Sequence, residues 1–167
     1  MKSKGLPLLA LGLMACGGHR IRTQTPAPAA IAEATARLKA RGIPLDAEGQ
    51  RPDRLRTSYL CHLPGQAWDV TLLQPGTAPV PFTAEGTLDE QAAARARCPL
   101  LLQIEVAAQA GADTEMQVVP AWWRLEDRGC QPIGEPLLGR LRCEYGYRGA
   151  AVDEDPSGYV YGVLAGI

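Results

Sequence analysis

Residues 99–108 read Pro-Leu-Leu-Leu-Gln-Ile-Glu-Val-Ala-Ala, and residues 114–125 read Thr-Glu-Met-Gln-Val-Val-Pro-Ala-Trp-Trp-Arg-Leu. From Leu102 to Val106 every second residue is apolar, which is the two-residue period of a half-buried strand. The Gly-Ala-Asp at 111–113 is typical of a turn. Two adjacent strand-like runs joined by a short turn predict an antiparallel hairpin, and the rest of the fold is expected to assemble on it.

Two segments have clear helical patterns. Apolar residues recur three and four positions apart from Ile31 onward, and Gly42 is well placed to end that helix. Thr87 and Glu90 match a capping box, which predicts a second helix from residue 88 to about Arg97. The apolar face of this second helix is small, so a surface position is expected.

A third helix is predicted from Pro136 to about Cys143, because proline suits the first turn of a helix. Its leucines, Leu137, Leu138 and Leu141, are expected to point inward. Further strands are predicted at 43–47, 54–62, 67–73 and 159–164. The predicted fold class is α+β, a mainly antiparallel sheet with two to three helices packed on one face and two disulfides.

The N-terminus has the three-part layout of a secretory signal peptide, with Lys2 and Lys4 before an apolar run from Leu6 to Met14. About nine residues are too few to span a bilayer, which needs roughly 20. Leu13-Met14-Ala15-Cys16 resembles the lipobox of bacterial lipoproteins. The resemblance implies cleavage before Cys16, which then carries acyl chains such as palmitate.

Three regions follow from this interpretation. Residues 1–15 are a lipoprotein signal peptide, residues 16–30 are the lipidated end and a Pro/Ala-rich tether, and residues 31–167 form one globular domain. The expected location is the bacterial cell envelope, with a lipid anchor in the membrane. Gly17, in place of Asp, favours the outer membrane by the sorting pattern of enterobacterial lipoproteins.

Four cysteines remain after Cys16, and an exported chain places them in an oxidising compartment. Four cysteines allow three connectivities. The favoured pairing is Cys130 with Cys143, closing a short loop, and Cys61 with Cys98, joining two strand ends. A zinc site is the alternative, but it requires closely spaced ligand pairs that these cysteines lack. No metal and no cofactor are predicted.

Residues 36–59 have a pattern of helix, short strand, acidic turn and second strand, and the runs at 97–106 and 113–118 look like a companion hairpin. This pattern is similar to that of envelope lipoproteins of the BamC family, which are accessories of outer-membrane assembly. The resemblance implies an α/β domain with helices on one face of the sheet. It transfers no catalytic residue to this chain.

The net charge and composition of the chain limit the kinds of partner that it is expected to bind. Loss of residues 1–15 removes two lysines and no acid, which leaves 15 basic and 18 acidic residues and a net charge of −3. Without a basic stripe, nucleic-acid binding is not expected. The expected partners are the membrane, through the anchor, and another envelope protein.

The sequence contains few sets of residues that could act together in catalysis. His19 falls in the predicted tether, and His62 follows Cys61 on a strand, where neighbouring side chains point to opposite faces. Ser157 lies in a turn sequence. Paired carboxylates at 89–90 and 153–155 suggest a glycan or peptide hydrolase as an alternative, and the second cluster also suggests a calcium site. Electrostatics at a helix N-terminus explain the first pair better, and a solvated loop explains the second cluster better.

Aromatic residues are the remaining candidates for an interface: Trp122, Trp123, Tyr145 and Tyr147. On adjacent strand positions one tryptophan is expected to enter the core and the other to face outward. The competing interpretation is that both tryptophans cover the sheet beneath loops. The sequence therefore favours a non-enzymatic binding or scaffolding lipoprotein, with a hydrolase and a small-ligand carrier as alternatives.

Overall fold

A computed structural model describes residues 19–67, 69–151 and 157–167 of the chain. Its helices are α1 Ala27–Ala40, α2 Leu88–Arg97 and α3 Ser157–Leu164. Its strands are β1 His19–Thr23, β2 Arg54–Arg56, β3 Leu60–His62, β4 Gln74–Pro75, β5 Phe82–Gly86, β6 Leu100–Gln109, β7 Thr114–Pro132 and β8 Leu141–Ala150. The signal peptide and Cys16 lie outside the described residues.

The eight strands form one antiparallel sheet in the order β4-β3-β6-β7-β8-β5, with β1 beside β7 and β2 beside β6. On one edge of β7, residues 114–118 pair with β1, and the stretch from Trp122 onward pairs with β8. On the free edge of β6, β2 and β3 likewise occupy successive stretches. Two positions in the sheet are thus each filled by two shorter strands. The predicted α+β fold class is confirmed.

The hairpin predicted at 99–125 is confirmed as β6 and β7, which pair over ten residues from Leu100 with Arg124 to Gln109 with Glu115. The return strand is longer than predicted and continues to Pro132. Beyond Arg124, β7 no longer has β6 beside it. Its strand partner there is β8, which lies along the other edge. The hairpin is therefore both the centre of the sheet and the base of a long extension.

The main core lies between one face of the hairpin and the helices α1 and α3. Ile104, Val106 and Val118 are fully buried there, against Leu38 of α1 and Leu164 of α3. A fully buried aliphatic side chain contributes about 1.5–3 kcal/mol relative to an exposed one. This face therefore holds most of the apolar burial that stabilises the domain.

Helix α2 lies over the opposite face, which differs from the expectation of helices on one face. The strand register puts Tyr145 on the same side as Leu101 and Trp123, and Tyr145 is fully buried beneath α2. Its hydroxyl donates to Gln91 Oε1 at 2.7 Å, and Gln91 Nε2 donates to the Ala84 carbonyl at 2.8 Å. The predicted capping box of α2 is confirmed, so its start was correctly placed.

The predicted tether over residues 16–30 is wrong from His19 onward. Residues 19–23 form β1, in which Ile21 and Thr23 are buried, and α1 begins at Ala27. The physical reason is that β1 completes the edge of β7, where unpaired backbone groups would otherwise remain. The alternation of charged and buried residues from Arg20 to Thr23 was the signal of a strand.

Several predicted elements have a different conformation. The helix at 136–143 is a three-residue 3-10 turn followed by β8, and the strand at 159–164 is the helix α3. The segment 67–73 contains a 3-10 turn, the segment 43–47 has only an isolated bridge, and the strand at 54–62 is divided into β2 and β3. Pairing of β8 with β5 and β7 overrides the predicted helix at 141–143. At 159–164 a helix places Val160 and Leu164, four residues apart, on one face that is buried in the main core.

Both favoured disulfides are confirmed. Cys61 of β3 is bonded to Cys98, which directly follows α2, and Cys130 of β7 is bonded to Cys143 of β8. The first joins the α2 segment to the edge of the sheet. The second joins two directly paired residues in the long extension. Each therefore cross-links a part of the sheet outside the main core.

Removal of each disulfide by paired serine substitution is expected to destabilise the domain. The sequence separations of 37 and 13 residues predict losses of about 4 kcal/mol for Cys61–Cys98 and about 3 kcal/mol for Cys130–Cys143, since longer loops gain more entropy on opening. Urea unfolding of each variant against the oxidised parent measures both losses. Equal stability of parent and variants would contradict this assignment, as would free thiols at these four positions in the denatured chain.

Candidate functional site

The predicted aromatic interface is only partly on the surface. Trp122 is buried in the main core at 6% exposure, and Tyr145 is fully buried beneath α2. Neither can reach a partner from the folded domain, so the expectation of an interface role is corrected for these two residues. The expectation that one tryptophan enters the core while its neighbour lies on the other face is confirmed.

Trp123 and Tyr147 are half-buried on the α2 side of the sheet. Trp123 packs edge-on against Tyr59, with ring centroids 5.8 Å apart. The Tyr147 hydroxyl donates to the Cys98 carbonyl at 2.9 Å, and burial raises the pKa of this tyrosine above its ordinary value. Both side chains are therefore packed on this face of the sheet and are partly accessible to solvent.

The histidine and carboxylate candidates have structural roles where the structure describes them. His62 lies at the end of β3, is buried at 8% exposure, and has Nε2 2.9 Å from the Gln66 carbonyl oxygen. Cys61 beside it is oxidised, so the pair holds no thiol nucleophile. Glu90 accepts from the Thr87 N–H in the capping box.

The carboxylate cluster at 153–155 lies outside the described residues. In the described part of the chain, no group of three His, Cys, Asp or Glu side chains is arranged to hold a metal ion. Asp69 has a pKa below its ordinary value because the hydroxyl and N–H of Thr71 both donate to its carboxylate. That arrangement caps a 3-10 turn and exposes the carboxylate to solvent.

The extension of β7 and β8 beyond β6 is the most distinctive surface feature, and we call residues 125–147 the arm. Its two strands pair from Leu125 with Tyr147 to Pro132 with Leu141, with a register shift between Asp127 and Cys130. β5 adds a third strand beside β8, and the Cys130–Cys143 disulfide crosses between the two long strands. The arm is therefore covalently constrained near its end.

The tip of the arm presents apolar side chains to solvent. Pro136–Leu138 form a 3-10 turn, closed below by a hydrogen bond from Ile133 N–H to the Arg140 carbonyl at 3.0 Å. Leu137 is 99% exposed and Leu138 is 63% exposed. The prediction that these leucines point inward is wrong, because the turn ends at Gly139, whose positive φ of 60° sends the chain into β8.

Several charged side chains on the sides of the arm form ion pairs. Arg142 contacts Glu85 at 2.7 Å, and Arg148 contacts Glu126 at 3.2 Å. Such exposed pairs contribute little stability, typically 0–1 kcal/mol each. These charged groups keep the sides of the arm in contact with water. The exposed leucines of the arm therefore lie at its tip.

Comparison with protein-family models, with curated proteins and with solved structures gave no match to this chain. The resemblance to the BamC family and to the lipobox therefore stays a prediction. Within the described residues, none of the helices is both long and apolar enough to cross a membrane.

Sequence reasoning missed the leucines of the tip, although the cysteines contained a signal. The midpoint between Cys130 and Cys143 falls between Pro136 and Leu137. A bond between these cysteines is compatible with a symmetric hairpin that turns there, flanked by Gly134 and Gly139. Both glycines have positive φ in the structure, as such a turn requires.

Replacement of both tip leucines by serine, Leu137→Ser with Leu138→Ser, is expected to change the free energy of unfolding by less than about 0.5 kcal/mol, since exposed side chains contribute little to stability. The control Leu102→Ala, in the main core, is expected to cost about 2–5 kcal/mol. Urea unfolding compares the two. A large loss from the tip substitutions would mean that the leucines pack against the domain.

Proposed function

We propose that this chain is a lipid-anchored protein of the bacterial cell envelope that acts as a non-enzymatic binding or scaffolding module and engages its partner through the tip of the arm. The observation that carries the proposal is the full exposure of Leu137 at the end of a disulfide-linked hairpin. Exposed apolar groups on a protruding, constrained element are typical of interaction sites.

The energetics support a contact that is specific but modest by itself. Burial of Leu137 and Leu138 against a partner would contribute about 3–6 kcal/mol before the cost of association. A rigid hairpin keeps that cost low, because little conformational entropy remains to be lost. A lipid anchor would add to the affinity by confining the module and its partner to the same membrane surface.

The disulfides support export, since such bonds persist in oxidising compartments. The position of β1, close to Cys16 in the sequence, also makes the proposed anchoring more specific. Only two residues separate Cys16 from His19, the first residue of β1, so an acylated Cys16 would hold the sheet within about 11 Å of the bilayer. The domain would lie against the membrane, without a long spacer.

The arm would project well beyond the point of attachment. His19 is paired with Val118, and the strand β7 runs 14 residues further to Pro132, a span of about 46 Å at 3.3 Å per residue. The arm would thus give a module held at the membrane a reach comparable to the diameter of a small domain. This geometry favours a scaffolding role, in which the anchored body and the distant tip contact different partners.

Site-specific photo-cross-linking tests the role of the tip. A photoreactive residue at Glu135, in the full-length chain within cell envelopes, is expected to give a discrete cross-linked species. Leu137→Ser with Leu138→Ser should lower its yield about tenfold, because the loss of even 1.4 kcal/mol of apolar contact has that effect.

Leu88→Ser is the matched control, because Leu88 is also exposed but lies on α2, outside the arm. It should leave the yield of the cross-link unchanged. An equal yield from the tip variant, or an equal loss from Leu88→Ser, would contradict the assignment of the tip as the contact.

Cys16→Ala tests the anchor. The substitution removes the acylated thiol, so the protein is expected to move from the membrane fraction to the soluble fraction on cell fractionation. The paired substitution of Cys130 and Cys143 by serine removes two other cysteines and should leave the protein in the membrane fraction. Retention of Cys16→Ala in the membrane would overturn the lipobox interpretation.

A further inference from the structure

A groove of about 330 Å³ lies beside α2, on the sheet face opposite the main core. Its walls are Phe82 of β5, Ala94 of α2, Tyr147 of β8 and the Cys61–Cys98 disulfide. These groups are apolar or present apolar surfaces to the groove. The volume is at the lower end of the range for small-molecule sites in proteins.

The walls are held in place by contacts outside the groove. The Phe82 ring stacks on Tyr145 with centroids 5.2 Å apart, and the Tyr147 hydroxyl donates to the Cys98 carbonyl. The disulfide fixes the β3 edge relative to the end of α2. A ligand would therefore enter a preformed site and would not need to order these side chains, which favours binding.

Arg97 lines the same groove at the last turn of α2. The residue is exposed, and its guanidinium makes no hydrogen bond or ion pair with another residue in the described part of the chain. Arg95, two residues earlier in α2, differs in that its guanidinium lies 3.9 Å from the Asp127 carboxylate. The groove thus combines an apolar interior with an unpaired cation.

We propose that this groove binds a small aliphatic carboxylate, with its alkyl chain against Phe82, Tyr147 and the disulfide and its carboxylate on Arg97. The pairing of charges selects an acid over an amine or an alcohol of the same length. This site is separate from the tip of the arm and does not rest on the proposed function.

An alkyl chain suits the walls better than a peptide does. A peptide would bring buried N–H and C=O groups that each need a hydrogen-bond partner. The Tyr147 hydroxyl already donates its proton to Cys98, so the wall offers few donors beyond Arg97. An unbranched hydrocarbon makes no such demand and gains affinity from each methylene group that leaves water.

Binding of sodium octanoate to the full chain, with Cys16→Ala in every sample so that no attached acyl chain competes, tests the proposal. Backbone amide shifts in NMR spectra should locate octanoate at Ala94 and Tyr147. The affinity is expected to rise about fourfold per methylene from hexanoate to octanoate, and octanol and octylamine should bind more weakly than octanoate.

Arg97→Gln should lower the affinity for octanoate about tenfold and leave that for octanol unchanged, because only the charge pair is removed. Arg41→Gln is the matched control, since Arg41 is an exposed arginine at the end of α1. Thr77→Trp, at an exposed position of the groove wall, should block binding without disturbing the core.

Four results would overturn the proposal, three of them from the octanoate measurements. Those three are the absence of octanoate binding at millimolar concentration, equal affinities of octanoate and octanol, and an unchanged octanoate affinity in Arg97→Gln. Tighter binding of a short peptide with a free carboxyl end than of octanoate would also overturn it and would assign the groove to peptides. None of these results depends on the tip of the arm or on the anchor.

Discussion

Backbone pairing along both edges of β7 is the constraint on which this structure depends. The strand is 19 residues long, and those of its backbone donors and acceptors that are buried must be paired. β6 pairs with one edge of β7 up to Arg124, and β1 and β8 pair with successive parts of the other edge. Because no single partner is long enough, β1 from the start of the described chain and β8 from much later in it are both brought to one central strand. The main core and the α2 face then form on either side of it.

The hairpin, the capping box of α2 and both disulfides were predictable from the sequence because each depends on a local pattern or on cysteine number. β1 was not predicted, because its two charged arginines and nearby prolines give a linker composition that only pairing with β7 overrides. The helix predicted after Pro136 failed for a similar reason. Proline favours a first turn, but Gly139 and the pairing of Cys143 with Cys130 commit the chain to a strand.

The candidate sites were harder to predict than the fold. Aromatic residues were the natural candidates, yet Trp122 and Tyr145 are buried, and the tip of the arm exposes leucines. A leucine gives no sign in the sequence of whether it faces the core or the solvent once the element around it is misassigned. The groove depends on residues from five separate segments, so no spacing along the chain indicates it.

The pairing of β1 with β7 also has a consequence for the order of folding. His19 is the first described residue, and its partner, Val118, lies 99 positions later in the chain. Contacts of such separation form slowly, because a long loop must close before they stabilise anything. During synthesis or export from the N-terminus, β1 has no strand to join until most of the chain has emerged. The segment nearest the proposed acylation site would therefore remain accessible to processing enzymes until the sheet closes over it.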